Sequence, residues 1–245
     1  MAEVFAYDEA RVVKLDRPEW NGVSAFESDM ITRAASAGLP VARSHGVVTI
    51  DDRCGVILDR VAGRELWWDL LEGPEGAVGP LATRFTELQL LINRTEIAGL
   101  PDLVDRLGGE LSQSGLPPAL VRELTELLAR LDDGRRGVCH FDFHPLNVMV
   151  SGDAWVVIDW LTVASGPAAA DLARTLVLWG QRADSRTIAF MERVRRLGMA
   201  RRGIDDVACD GWLRVIAGAR MAEGFDADYA AWLGRVAAGE LRLFA

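Results

Sequence analysis

Apolar and polar positions alternate at the start of the chain and then change period. Val4–Tyr7 and Arg11–Leu15 read as two short strands around a turn at Asp8-Glu9-Ala10. Phe26, Met30 and Ala34 recur at helical spacing, and Ser24-Ala25-Phe26-Glu27 in front of them fits a capping box. Gly38-Leu39-Pro40 ends that helix. Val47–Ile50 and Val56–Leu58 predict a second hairpin, joined through Asp51-Asp52-Arg53-Cys54-Gly55. The opening segment therefore predicts a small sheet with one helix.

The period lengthens after Val61-Ala62-Gly63. Residues 72–80, EGPEGAVGP, predict a loop. Leu81, Phe85, Leu88 and Ile92 form one helical stripe; Leu120, Leu124, Leu127, Leu128 and Leu131 form a second, with Gly134 as its stop. Ala154–Ile158 reads as a buried strand. From Asp171 to Phe244 the pattern is helical, with breaks near Gly180, Gly203 and Gly224. The outline is a β-rich lobe over 1–61, a connector near 58–64, and a larger helical lobe over 62–245.

Composition narrows the function classes. Hydrophobic residues make up 50% and charged residues 26% of the 245, an ordinary soluble balance. A net charge of −9 argues against a general nucleic-acid binder, which needs a basic surface, and is compatible with a cationic substrate. The three cysteines show no CxxC spacing, so neither a disulfide framework nor a zinc site is expected, and a reducing, cytoplasmic setting is. MAEVFAYDEARVVKL lacks an apolar core of the signal-peptide kind. No apolar run reaches the roughly 18 residues of a membrane span.

Residues 138–160, VCHFDFHPLNVMVSGDAWVVIDW, hold the densest chemistry. Asp142 sits in the polar knot His140-Phe141-Asp142-Phe143-His144-Pro145-Leu146-Asn147, and Asp159 follows a hydrophobic run. A carboxylate, an amide oxygen and a second carboxylate are together suited to aligning a hydroxyl and holding a divalent metal against a nucleoside triphosphate. A different reading groups His140, Asp142 and His144 as transition-metal ligands, since alternate residues of a strand share a face. It leaves Asn147 and Ile158-Asp159-Trp160 without a role. The bland reading makes Asp142 a solvated turn residue.

HFDFHPLNVMV followed by VVIDW resembles the aminoglycoside phosphotransferase and choline kinase group, small-molecule kinases with a protein-kinase-like fold. Gly166-Pro167 and Asp171-Leu172-Ala173-Arg174 extend the likeness. The resemblance implies an α+β, bilobal protein-kinase-like fold with a truncated small β-rich N-lobe and a larger, mostly helical C-lobe. It implies ATP and Mg²⁺ as cofactors and a small-molecule hydroxyl as acceptor, such as an aminoglycoside-like antibiotic, an amino sugar or an amino alcohol. Residue by residue, Asp142 would be the catalytic carboxylate, and Asn147 and Asp159 the metal ligands. Lys14, in Val12-Val13-Lys14-Leu15, would reach the α/β phosphates, with Glu27 as its partner. Asp59 and Val61 would belong to a connector whose backbone reads adenine. Asp171 would brace the catalytic loop through backbone hydrogen bonds. His140 would anchor the loop, and Trp67-Trp68 would pack under the connector. Acids of the last helical region help aminoglycoside-modifying relatives bind cationic sugars; here they are Asp205, Asp206, Asp210, Glu223, Asp226 and Asp228. A solvated helical face is the other explanation of that run.

The chain departs from that group at its start. Lys14 has thirteen residues before it, MAEVFAYDEARVV, with no glycine and hence no phosphate-covering loop. A start upstream of Met1, a reduced small lobe, or a nucleotide- or partner-binding pseudokinase each accounts for it. Metal and lysine carry most of the charge neutralisation, so loss of such a loop is expected to weaken nucleotide binding more than to remove the chemistry.

Overall fold

The computed structural model describes residues 2–181 and 184–244. In chain order the elements are β1 (Ala2–Ala6), β2 (Arg11–Asp16), α1 (Ser24–Ser36), β3 (Ser44–Ile50), β4 (Arg53–Asp59), β5 (Arg64–Glu65), α2 (Leu66–Glu72), α3 (Val78–Arg94), α4 (Leu103–Gln113) and α5 (Pro118–Leu131). They continue with β6 (Gly137–Cys139), β7 (Val148–Ser151), β8 (Ala154–Val157), β9 (Ala164–Gly166), α6 (Ala168–Trp179), α7 (Ser185–Arg202), α8 (Asp206–Arg220) and α9 (Ala227–Ala237). Two compact units result. The first holds the chain up to Asp69 together with His144–Val163; the second holds Leu70–Phe143 and the chain from Ala164 onward.

The first unit is built on an antiparallel sheet of order β1-β2-β4-β3. Its register sets Lys14 opposite Val4 on one side and Val56 on the other. Val13 and Leu15 pack with Ile57 into a small core, against which Val48 and Ile50 lie. Side chains alternate across a strand, so Lys14 between them is sent to the other face. The turn into β4 is tighter than the five residues expected: Asp51 and Asp52 both have positive φ, 49° and 61°, the conformation of a two-residue primed hairpin turn.

The capping box expected at Ser24 does not form, and α1 has no side-chain cap on its N-cap residue. Asp16, at the end of β2, takes that role instead. Its carboxylate accepts the N–H of Gly22 at 2.9 Å, the N–H of Ser24 at 3.1 Å and the Ser24 hydroxyl at 2.6 Å. A charged acceptor with several donors is a stronger partner for exposed helix N–H groups than a hydroxyl. Glu27 is thereby released from the helix start.

A second sheet of the same unit, β5-β7-β8, contains a hairpin that the sequence pattern did not show. β7 pairs with β8 from Val148↔Val157 to Ser151↔Ala154, and β5 adds on through Arg64↔Val150. Gly63 permits this approach: at φ 128°, a Cβ there would stand 2.0 Å from the Val150 carbonyl oxygen. Val157 N–H donates to Pro40 C=O at 2.8 Å, tying the hairpin to the end of the α1 segment.

The second unit is mainly helical. The stripe on α3 buries Phe85 and Ile92 completely; Phe85 meets Phe143 at 4.4 Å and Phe190 of α7 at 5.3 Å between ring centroids. α4, not foreseen, buries Leu103, Leu107 and Leu111, and its N-cap Asp102 accepts the N–H groups of Val104 and Asp105. Gly203 ends α7 in the left-handed region, φ 67°, where a residue without Cβ meets no steric penalty. Among the described residues no helix is long and apolar enough to cross a membrane.

Candidate active site

In the first unit Lys14, Glu27 and Asp159 converge. Lys14 Nζ donates to Glu27 Oε1 at 2.7 Å and to Asp159 Oδ1 at 3.0 Å. Glu27 is 1% exposed, whereas Asp159 keeps 32% of its side chain open. Burial alone would lower the Lys14 ammonium; the charges of Glu27 and Asp159 outweigh it and hold Lys14 above the ordinary lysine value. Burial lifts the Glu27 carboxyl, and Lys14 draws it back. Both directions fit one arrangement: a desolvated acid fixing a charged lysine that also reaches a more open carboxylate.

Asn147 and Asp159 are brought to the open end of the β7–β8 hairpin. Continuing the ladder past Val148↔Val157, Ile158 N–H donates to Asn147 C=O at 3.0 Å. Asp159 follows with φ 63°, a left-handed conformation that aspartate tolerates better than most residues. Asn147 Nδ2 lies 3.4 Å from His144 Nε2. The side chain of Asn147 is nearly buried. An amide oxygen and a carboxylate oxygen at one hairpin end are hard donors of the kind Mg²⁺ prefers. Among the described residues no group of three or more His, Cys, Asp or Glu is arranged to hold a metal, so the His140, Asp142 and His144 cluster is not built.

Asp142 belongs to the second unit, on the loop leaving β6. His140 is fully buried, and its Nδ1 accepts the backbone N–H of Asp142 at 3.3 Å. Phe141 stands at φ 62°, which costs a non-glycine residue about 1–2 kcal/mol. Its surroundings over-determine it. Asp171 Oδ1 accepts the Phe141 N–H at 2.8 Å, and Arg174 Nε donates to its C=O at 3.1 Å. The guanidinium groups of Arg106 and Arg174 lie 4.5 and 5.0 Å from its ring centroid. Thr175 Oγ1 donates to the Phe143 carbonyl at 2.7 Å.

Behind the loop a buried anion and a part-buried cation meet through two amides. Asp171 Oδ2 accepts from Asn93 Nδ2 at 2.8 Å and from Gln89 Nε2 at 3.1 Å. The oxygens of those amides accept from Arg202 Nη2 at 2.6 and 3.0 Å. Burial draws the Arg202 guanidinium down to about 10, against the opposing charge of Asp171. Sequence reading missed Gln89, Asn93 and Arg202. Gln89 and Asn93 lie four apart on α3, a spacing that shares a helix face, but nothing in the chain links them to Arg202 more than a hundred residues on.

The remaining candidates are placed as follows. Asp59 closes β4, and its carboxylate binds His45 Nε2 at 2.6 Å and the Arg43 N–H at 3.3 Å. Val61 follows that strand end. Trp67 and Trp68 open α2, with Trp68 42% exposed.

A family model described as the phosphotransferase enzyme family matches residues 3–237. No curated protein matches the chain. Among solved structures, aminoglycoside phosphotransferase APH(4)-Ia is similar over 100% of this chain and 94% of its own, at 16% identity and a TM-score of 0.67. Amicoumacin kinase hAmiN is similar over 99% and 89%, at 14% identity and 0.61. APH(3'')-Id from Streptomyces rimosus, in complex with ADP and streptomycin, is similar over 91% and 93%, at 17% identity and 0.57. These likenesses show an α+β, kinase-like fold, and the family match covers nearly the whole chain. The chain belongs to the phosphotransferase enzyme family.

Proposed function

We propose that this enzyme moves the γ-phosphate of ATP to a hydroxyl of a small molecule, with Asp142 as the catalytic carboxylate. The observation that supports it best is Lys14, held by a buried glutamate and touching Asp159. In this reading Lys14 binds the α/β phosphates and Glu27 fixes its ammonium. Asn147 and Asp159 would hold Mg²⁺, which when bound offsets charge on the phosphate oxygens. Asp142 accepts a hydrogen bond from the acceptor hydroxyl and aims its oxygen at the γ-phosphorus. The new O–P bond forms as the bond to the β–γ bridging oxygen breaks, ADP leaves, and the hydroxyl proton passes to Asp142. The strained but braced Phe141 keeps the neighbouring carboxylate preorganised. The backbone at Asp59 and Val61 reads adenine; the Asp59 side chain is already engaged by His45.

Lobes of 1–61 and 62–245 in a cytoplasmic setting complete the proposal. The resemblance implies an aminoglycoside-like antibiotic, an amino sugar or an amino alcohol as acceptor. The alternative is a pseudokinase that binds nucleotide or a partner. Its signature would be a rise in melting temperature with Mg²⁺-ATP and no transfer to any hydroxyl acceptor.

Two variants test the nucleotide side. Lys14→Met should raise the KM for ATP by about tenfold or more, the size of a lost hydrogen bond to a charged group. Asp159→Ala should move the Mg²⁺ concentration for half-maximal rate upward by about tenfold or more. Unchanged ATP and Mg²⁺ titrations in both would remove these residues from the site.

A further inference from the structure

The acids of the last helical region answer different partners. Asp205 caps α8 by accepting the Ala208 N–H at 2.8 Å, and Asp226 caps α9 by accepting the Tyr229 N–H at 2.9 Å. Asp206 pairs with Arg195, and Asp210 lies 3.9 Å from Arg242. Glu223, in the short turn Met221–Glu223 that leaves α8, instead reaches the arginine that braces the catalytic loop. Arg174 Nη1 donates to Glu223 Oε1 at 2.5 Å, while its Nε donates to the Phe141 carbonyl at 3.1 Å. One planar guanidinium thus spans a carboxylate and the backbone of the residue before Asp142.

Glu223 is itself held from behind. Its other oxygen, Oε2, accepts from Arg220 Nη2 at 3.1 Å, and Arg220 Nη1 donates to Tyr229 Oη at 3.0 Å. The Arg220 guanidinium also lies 4.9 Å from the ring centroid of Phe225 and 5.5 Å from that of Tyr229. Both arginines are buried, at 7% and 6% exposure, while Glu223 keeps 33% of its side chain open. Burial and the like charge of Arg174 draw the Arg220 guanidinium down, and Glu223 opposes them. On the loop, the peptide joining Phe141 to Asp142 is gripped at both ends. His140 Nδ1 takes its N–H at 3.3 Å, and Arg174 holds its C=O. A hydrogen bond to a carbonyl is directional, so an arginine that lost its carboxylate would loosen one of those two grips. Phe141, at φ 62°, would then relax and tilt the plane that aims Asp142.

We infer that Glu223 is a positioning residue for Asp142, acting through Arg174 and the Phe141 carbonyl rather than binding the acceptor. The inference rests on the phosphotransferase reading, with Asp142 as the catalytic carboxylate. Both oxygens of Glu223 are taken by arginines, so a cationic acceptor would have to displace a buried guanidinium to reach it. The turn after α8 is thereby tied to the catalytic loop through a single side chain of α6.

The test takes water as the acceptor, with ADP release from Mg²⁺-ATP as readout. Glu223→Gln should lower kcat about tenfold and leave the KM for ATP within about twofold, because a small misplacement of a catalytic group costs at least that much. Arg174→Met should lower kcat by as much or more, and the double variant should fall no further than Arg174→Met. Wild-type kcat in Glu223→Gln, or losses that multiply in the double variant, overturn the inference. Asp142→Asn separates the two readings. If it hydrolyses ATP at the wild-type rate, the catalytic reading of Asp142 fails and the inference with it. If Asp142→Asn is slowed and Glu223→Gln is not, only the inference fails. Where the wild type releases no ADP, or Arg174→Met does not fold, hydrogen exchange in ADP and Mg²⁺ decides. Residues 139–143 of Glu223→Gln should exchange about tenfold faster than in the wild type, with α5 and α7 unchanged. No increase there, or an equal increase in α5 and α7, marks a purely structural pair and overturns the inference.

Discussion

Asp142→Asn is expected to lower kcat about a thousandfold while leaving the KM for ATP within about twofold. A positioned general base contributes about 10²–10⁴ in rate, and in a loose phosphoryl-transfer transition state most of that comes from aligning the hydroxyl. Asparagine keeps the volume and loses the charged acceptor. The loop should survive the change, because the bond to His140 Nδ1 uses the Asp142 backbone N–H and the braces from Asp171 and Arg174 grip Phe141. Steady-state kinetics with any acceptor that turns over will decide, alongside melting temperature. Wild-type turnover in the Asn variant would take Asp142 out of the mechanism.

Asp171→Ala is expected to cost about 3–5 kcal/mol of stability, the range for removing one partner of a buried charged network. In a domain of this size that corresponds to a fall in melting temperature on the order of 10 °C. The change takes one acceptor from each of the Asn93 and Gln89 amides, leaves Arg202 without its relayed counter-charge, and frees Phe141 to leave the left-handed region. Coupling gives a sharper measurement. Arg202→Met alone should destabilise, yet combined with Asp171→Ala it should add little, because both remove the same pair. Additive losses would mean that the two amides relay nothing.

Some of this was readable from spacing. The hydrophobic period placed α1, α3, α5 and the terminal helices, since burying a stripe dictates 3.6-residue recurrence wherever the helix packs. The knot around Asp142 and the Ile158-Asp159-Trp160 end stood out because polar residues interrupt buried strands there. β7 did not, because Val148–Ser151 is too short to show a period, and with it the hairpin that sets Asn147 beside Asp159 was missed. Ser24 to Glu27 matched a capping box, and local matching could not reveal that Asp16 of β2 would take that place.

The sequence by itself determined the elements and the residue types that chemistry demands, because periodicity and motif spacing are local and survive in one dimension. Tertiary structure alone decided what each charge answers. It turned Glu27 from a helix cap into the partner of Lys14, linked Asp171 to Arg202 through two amides, and set the guanidinium groups of Arg106 and Arg174 against the Phe141 ring. Charges act through space at a few ångströms, and residues a hundred positions apart share that distance only once the chain has folded.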